Sequence, residues 1–313
     1  MTSEFSSLLA ALLLPTLNIA IAAAPAISSP ICVASWDVCA SGGRPFGVAV
    51  DATGYVYVTN QWAGTLEKFT EDGAPAAMLA RSLNYPCGVA IASDGTIYVT
   101  EHLGNRVAWL SPDGSPLGTF GTELLRPVGI DVDQEGFVYV VDFSNRVVKF
   151  TAAGVFVMAW GSLGAGSGQL NDPSGVAVGG DGYVYVSEGG GNRIQKFTRD
   201  GASVASWGSS GSAEGEFSSP HGVAIDALGH IYVADDGNAR IQVFTGQGQF
   251  IDKWGSLGSD LGEFGFDSPT GVAVNADGEV FVVDRANCRI EKFAELPVPA
   301  GWVTWGHLKA VYR

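Results

Sequence analysis

Charge is scarce in this chain, and positive charge most of all. Asp, Glu, Lys and Arg make up 16% of 313 residues, and 17 Lys and Arg stand against 32 Asp and Glu, a net charge of -15. A surface of that sign repels phosphate, which argues against a nucleic-acid partner. The four cysteines, Cys32, Cys39, Cys87 and Cys288, contain no Cys-x-x-Cys pair, so a zinc knuckle is excluded. No Gly-x-Ser-x-Gly elbow, no phosphate-cradling Gly-x-x-x-x-Gly-Lys loop and no carboxylate pair that the sequence places together is present. No residue is therefore assigned a catalytic role. Low-complexity and fibrous compositions are missing as well.

What the chain has in quantity is glycine, 43 residues, between short apolar runs. Pro220 to Trp254 shows the organisation best. Gly222 to Ile225 is a short, wholly apolar run, the expectation for an innermost strand buried on both faces. After a Leu228-Gly229 turn, His230 to Ala234 alternates β-formers, and Asp235-Asp236-Gly237-Asn238 breaks the pattern with turn residues. Arg240 to Phe244 alternates again, Gly246-Gln247-Gly248 turns, and Phe250 to Trp254 forms a fourth strand. Pro-x-Gly before a β-branched run recurs at Pro45, Pro86, Pro127, Pro173, Pro220 and Pro269. One such sheet cannot cover its own two apolar faces, whereas six stacked around an axis cover one another. The expected fold is all-β, a six-bladed β-propeller of four-stranded antiparallel blades.

Pro-x-Gly-Val-Ala-Val, Asp-x-x-Gly, Val-Tyr-Val, Gly-Asn-x-Arg-Ile-x-x-Phe and a closing Trp-Gly together resemble the NHL repeat. The likeness runs from Arg44 to Phe293 and includes the lead-in Gly215-Glu216-Phe217-Ser218-Ser219-Pro220. It implies the propeller and leaves function open, because such propellers serve as binding modules, scaffolds and enzymes.

The ends depart from the repeat. Residues 1–26 carry the apolar run Leu8 to Ala24 and small residues up to Ala26, read as a secretory signal. Residues 27–296 are the propeller and 297–313 a basic tail. The expected location is secreted, periplasmic or cell-envelope, with no membrane span in the mature chain. The sixth unit lacks a fourth strand, because Pro297 and Pro299 fall where a hairpin is needed. Val33-Ala34-Ser35-Trp36 repeats Val204-Ala205-Ser206-Trp207, so the N-terminal strand is expected to complete that blade and close the ring. Gly301 to Gly306 is the competing fourth strand. The N-terminal clasp brings Cys39 near Cys288, and a disulfide there would staple the closure.

In a propeller the loops into the inner strand share a rim with the loops between strands two and three. The first set presents Phe46, Cys87, Val128, Ser174, His221 and Thr270. The second presents Asn60, Trp62, Glu101, His102, Asp142, Phe143, Glu188, Asp235, Asp236, Asp284 and Arg285, an acidic, partly aromatic rim. The ligand-binding candidates are Phe46, Trp62, Glu101, His102, Asp142, Phe143, Glu188, His221, Asp235, Asp284 and Arg285. Asn105-Arg106, Asn145-Arg146, Asn192-Arg193, Asn238 with Arg240 and Asn287 with Arg289 recur in five units. Recurrence points to scaffold, each Asn bonding its turn and each Arg a loop carboxylate.

His102 and His221 break the repeat, in units two and five. Peptidyl-hydroxyglycine lyases, which are similar propellers, hold zinc with three mouth histidines. His221 matches one such position, and the other Pro-x-Gly units carry no histidine, so no metal or other cofactor is expected. The RNA-binding NHL propellers of tripartite-motif proteins use a basic face, which this chain lacks. The function expected is an exported, monomeric, non-enzymatic scaffold for a protein, peptide or carbohydrate. The alternative is a metal-dependent lyase or hydrolase with its site in the funnel.

Overall fold

The computed structural model describes residues 29–39 and 42–295. The predicted signal and tail, and Gly301 to Gly306, lie outside them. Six four-stranded antiparallel sheets form the ring, each ordered from the axis outwards. Blade five comprises Pro220–Ile225, Ile231–Asp235, Arg240–Phe244 and Phe250–Trp254. Blade one begins at Pro45–Val50, blade two at Pro86–Ile91, blade three at Ile130–Val132 and blade four at Pro173–Val178. Blade six takes three strands, Val272–Val274, Val280–Asp284 and Arg289–Ala294, from the C-terminal side. Its fourth is Ile31–Asp37, antiparallel to Arg289–Ala294 with Trp36 opposite Ile290. The first and last described strands thus share one sheet, as the repeated Val-Ala-Ser-Trp requires. Cys39 is disulfide-bonded to Cys288, with Cα atoms 5.4 Å apart.

The second strand, and not the first, is the one buried throughout. Val56–Asn60, Ile97–Glu101, Val138–Asp142 and Val280–Asp284 are buried at every position. The inner strand borders an axial channel and keeps several residues half-exposed. Stacking between blades is repetitive. Trp160 packs on Phe197, Trp207 on Phe244 and Trp254 on Phe293, with ring centroids 5.7 to 6.2 Å apart. Trp36 lies 6.5 Å from Phe69, so the N-terminal strand supplies the same contact between blades six and one. Each aromatic so buried contributes on the order of 2 kcal/mol.

The repeated Pro-x-Gly has a steric cause. A Cβ on Gly88, Gly129, Gly222 or Gly271 would lie 2.6 to 2.8 Å from a carbonyl oxygen of the next blade, that of Val128, Ser174, Thr270 and Phe46 respectively. Gly47 and Gly175 are approached in the same way by Cys87 and His221. Only glycine lets six inner strands converge this closely.

A second set of bonds ties blade to blade. Asn105, Asn145 and Asn192 have φ of 51° to 59°. Their Oδ1 atoms accept from the N–H groups of Arg126, Asp172 and Ser219 at 2.8 to 2.9 Å. The asparagines therefore bond the lead-in loop of the following blade, a longer reach than their own turns. Left-handed backbone is tolerated best there by Asn or Gly.

Candidate functional site

The mouth has two tiers. Phe46, Cys87, Val128, Ser174, His221 and Thr270 stand at the top of the inner strands, and all of them but Cys87 line, with the six Pro-x-Gly glycines, an axial cavity of about 70 Å³. That admits a few waters and not a ligand's body. Above this cavity lies the rim, where Gln61, His102, Phe143, Gly189, Asp236 and Arg285 follow the second strands.

Five rim candidates have another task. Glu101, Asp142, Glu188, Asp235 and Asp284 are at most 1% exposed. Each takes the guanidinium of its own blade: Arg106, Arg146, Arg193, Arg240 and Arg289. Each also accepts a lead-in N–H, from Asn84, Leu125, Asn171, Ser218 and Gly265, at 2.7 to 3.1 Å. The rim expected to be acidic thus has these carboxylates turned inwards. A desolvated carboxylate needs such donors, and the blade supplies them.

The remaining candidates fall into two groups. Around blades one, five and six, His221 Nε2 is 3.4 Å from Asp236 Oδ2, and the imidazole meets Phe46 edge-on at 5.8 Å. Arg285 lies over Phe46 at 6.0 Å and reaches Asp267 at 3.7 Å. Arg44 lies over Trp62 at 5.4 Å, and Trp62 is 68% exposed. Burial, aided by the charge of Arg285, lowers the His221 pKa to about 4. Burial raises Asp236 to about 7, with Arg285 opposing and Asp267 assisting. Burial and then Arg44 lower the pKa of Arg285. Burial thus favours the neutral forms of His221 and Asp236, and the charge of Arg44 disfavours that of Arg285. His221 Nδ1, Asp236 Oδ1 and Gln61 Oε1 are buried without a hydrogen-bond partner among the described residues.

Blades two and three make the other group. His102 sits between Tyr85, at 5.8 Å, and Phe143, at 5.1 Å. Its Nδ1 is 3.3 Å from the Pro127 carbonyl, and burial lowers its pKa. Leu103, Leu125 and Phe143 are 52%, 48% and 41% exposed around it. The two histidines that break the repeat thus belong to separate environments, one with Asp236 and Arg285 and the other with Tyr85, Phe143 and the charge of Arg126. His230 is not at the mouth; it bonds Asp226 at 2.8 Å in the turn between strands one and two.

Sequence reasoning passed over Arg44, Gln61 and Asp267, whose lead-in and loop positions show no deviation until the ring brings them together. It also passed over Asp131, where a signal existed. The same inner-strand position is Ala49, Ala90, Ala177, Ala224 and Ala273 in the other blades. Asp131 lines the far half of the channel, accepts from Val132 and Val178 N–H at 2.8 and 2.7 Å, and is raised by burial to about 6. Cys87 is buried beside Gln61, and burial pushes its thiol up to about 12, which makes it inert. Among the described residues no group of three His, Cys, Asp or Glu is placed to hold a metal ion.

Fold and mouth define an NHL-type six-bladed propeller whose ring is closed by its N-terminal strand. The chain belongs to the virginiamycin B lyase family, which matches residues 27–244, and an NHL repeat matches residues 266–293. No curated protein matches the sequence. Among solved structures, a streptogramin B lyase superposes with TM-score 0.64 at 17% identity, over 83% of this chain and 96% of that one. A gluconolactonase from Xanthomonas campestris gives 0.62 at 16%, over 86% and 98%. An auxiliary nutrient binding protein from Bacteroides thetaiotaomicron gives 0.63 at 12%, over 80% and 69%. At these identities the likeness is one of fold, shared by enzymes and a binding protein alike.

Proposed function

We propose that this chain is an exported, monomeric binding scaffold that takes a peptide or peptide-like ligand with a free carboxylate across its channel mouth. The observation that carries the reading is the division of the rim. Arg44 and Arg285, each laid on an aromatic ring, gather at one part of the rim, where burial shifts Asp236 towards its neutral form. In a chain of net charge -15 this is a local excess of positive charge, suited to a carboxylate. Opposite it, Leu103, Leu125 and Phe143 offer an apolar seat.

The test is a calorimetric titration with short hydrophobic peptides carrying a free or an amidated C-terminus. The free acid is expected to bind at least about tenfold more tightly, with the preference lost in Arg285→Gln, since a charge-assisted pair contributes about 1.5–3 kcal/mol. Equal affinities for acid and amide would overturn the reading.

A second reading has its own support. The family includes a lyase, and a neutral imidazole 3.4 Å from a carboxyl that titrates near 7 is an acid–base pair. Ring opening of a streptogramin B antibiotic, followed by mass spectrometry and abolished in His221→Ala, would favour a lyase over a scaffold.

A further inference from the structure

One position in the third strand pairs with the buried carboxylate position in the second, and it can be compared across the ring. In blade four, Gln195 Nε2 donates to Glu188 Oε1 at 2.8 Å, and in blade five Gln242 Nε2 donates to Asp235 Oδ2 at 3.0 Å. The Oε1 of each glutamine accepts a connector N–H, from Gly168 and Gly215, at 3.1 and 3.0 Å. Blade one reverses the roles: Asn60 Nδ2 donates to Glu67 Oε1 at 3.0 Å. In each of these blades an amide meets an acid. Blade six has an acid on both sides, Asp284 and Glu291.

Glu291 otherwise copies the glutamines. Its strand pairing is the same, Val282 opposite Glu291 as Val233 is opposite Gln242. Its Oε1 accepts from Gly262 N at 3.1 Å and meets Arg289 Nη2 at 2.9 Å. By this match its Oε2 corresponds to the donating amide nitrogen; it is buried and has no hydrogen-bond partner among the described residues. Two acceptors cannot bond each other without a proton.

We propose that blade six carries a proton latch, in which Glu291 is held as the neutral acid, its Oε2–H donating to the Asp284 carboxylate, and its ionisation loosens the closing blade. The groups facing Glu291 agree. Asp284 from the second strand and Glu263 from the connector repel the ionised form, Arg289 on its own strand and the Gly262 N–H favour it, and the Cys32 thiol of the N-terminal strand stands beside it. Burial is the largest influence, and together they raise Glu291 to about 7. The latch lies where the ring closes: Ser35 of the clasping strand pairs with Glu291, and Asp284 precedes Arg285 and the loop ending at Cys288. Loss of the proton therefore acts on the clasp and on the seat of Arg285 together.

Glu291→Gln installs the residue that blades four and five already use, so the variant is expected to fold. Thermal unfolding of wild type and Glu291→Gln, in the presence of the intact disulfide, is followed from pH 4.5 to 8.5. The variant is expected to melt about 3 °C or more above wild type at pH 8.5, with the gap closing towards pH 4.5. Asp236 and Asp131 titrate in both proteins, so the difference reports Glu291 alone. Asp284→Asn, which recreates the blade-one combination, is expected to bring the Glu291 carbon-13 carboxyl titration down from near 7 towards the ordinary glutamate range. Parallel melting curves at every pH, or a wild-type Glu291 carboxyl that titrates near 4.5, would overturn the proposal. No ligand enters either measurement, so this outcome is independent of the scaffold reading.

Discussion

Blades five and six share a strand pattern and hold it by different means. Blade five is one continuous stretch of chain, and its turn ends on Ala239 at φ 50°, without the asparagine that bonds blades two, three and four to their neighbours. Blade six is assembled from both ends of the chain, and at the corresponding left-handed position stands Cys288, φ 59°, bonded to Cys39. Where the repeat uses a side-chain hydrogen bond between neighbours, the closing blade uses a covalent bond. Blade six also exchanges the Asp235–Gln242 contact for the acid pair Asp284–Glu291. The difference teaches that a ring of near-identical units concentrates its stability risk, and its departures from the repeat, at the seam.

The largest expected effect tests the seam itself. Cys288→Ser removes a cross-link spanning 249 residues and is expected to cost about 5 kcal/mol in denaturant unfolding, with reductant lowering wild type to match. Blade five has no counterpart to lose. Next, Gly222→Ala and Gly271→Ala press a methyl on the Thr270 and Phe46 carbonyls from inner strands that are alike, so losses of about 3 kcal/mol are expected in both. A large inequality between them would show that the seam tolerates displacement that blade five does not.

Gln242→Glu carries the acid pair into blade five. Buried beside Asp235, the new carboxyl would have a folded pKa above its unfolded value of about 4.3. A raised folded pKa means that the folded state holds the extra proton, so the cost is absent below pH 4 and complete once pH passes the folded pKa. A loss of about 1–3 kcal/mol at pH 8, vanishing at pH 4, is expected in pH-dependent unfolding. The smallest effect is a gain. Ala239→Asn relieves a left-handed alanine. About 0.5–1 kcal/mol of stabilisation is expected by thermal unfolding.

Much of this was legible before the structure. Six Pro-x-Gly runs announce six inner strands, because the convergence at the axis admits only glycine there. The clasp was legible in Val33 to Trp36, because a strand that stacks Trp36 on Phe69 must look like one that stacks Trp207 on Phe244. The Arg–carboxylate pairs followed from recurrence. The rim was read less well. Glu101, Asp142, Glu188, Asp235 and Asp284 have the composition of a surface loop, yet the lead-in N–H groups that draw them inwards lie 17 to 19 residues away. Arg44 and Asp267 have no local abnormality, and their proximity to Trp62 and Arg285 exists only in the closed ring.

The amino-acid sequence alone determined the number of blades, the strands within each and the identity of the clasp, since these depend on periodicity, turn residues and steric fit repeated every few dozen residues. Only the tertiary structure decided which rim side chains meet, which carboxylates are buried, and where two acids share a proton. Such contacts join blades that are adjacent around an axis and remote along the chain, and their electrostatics depend on the water that stacking removes.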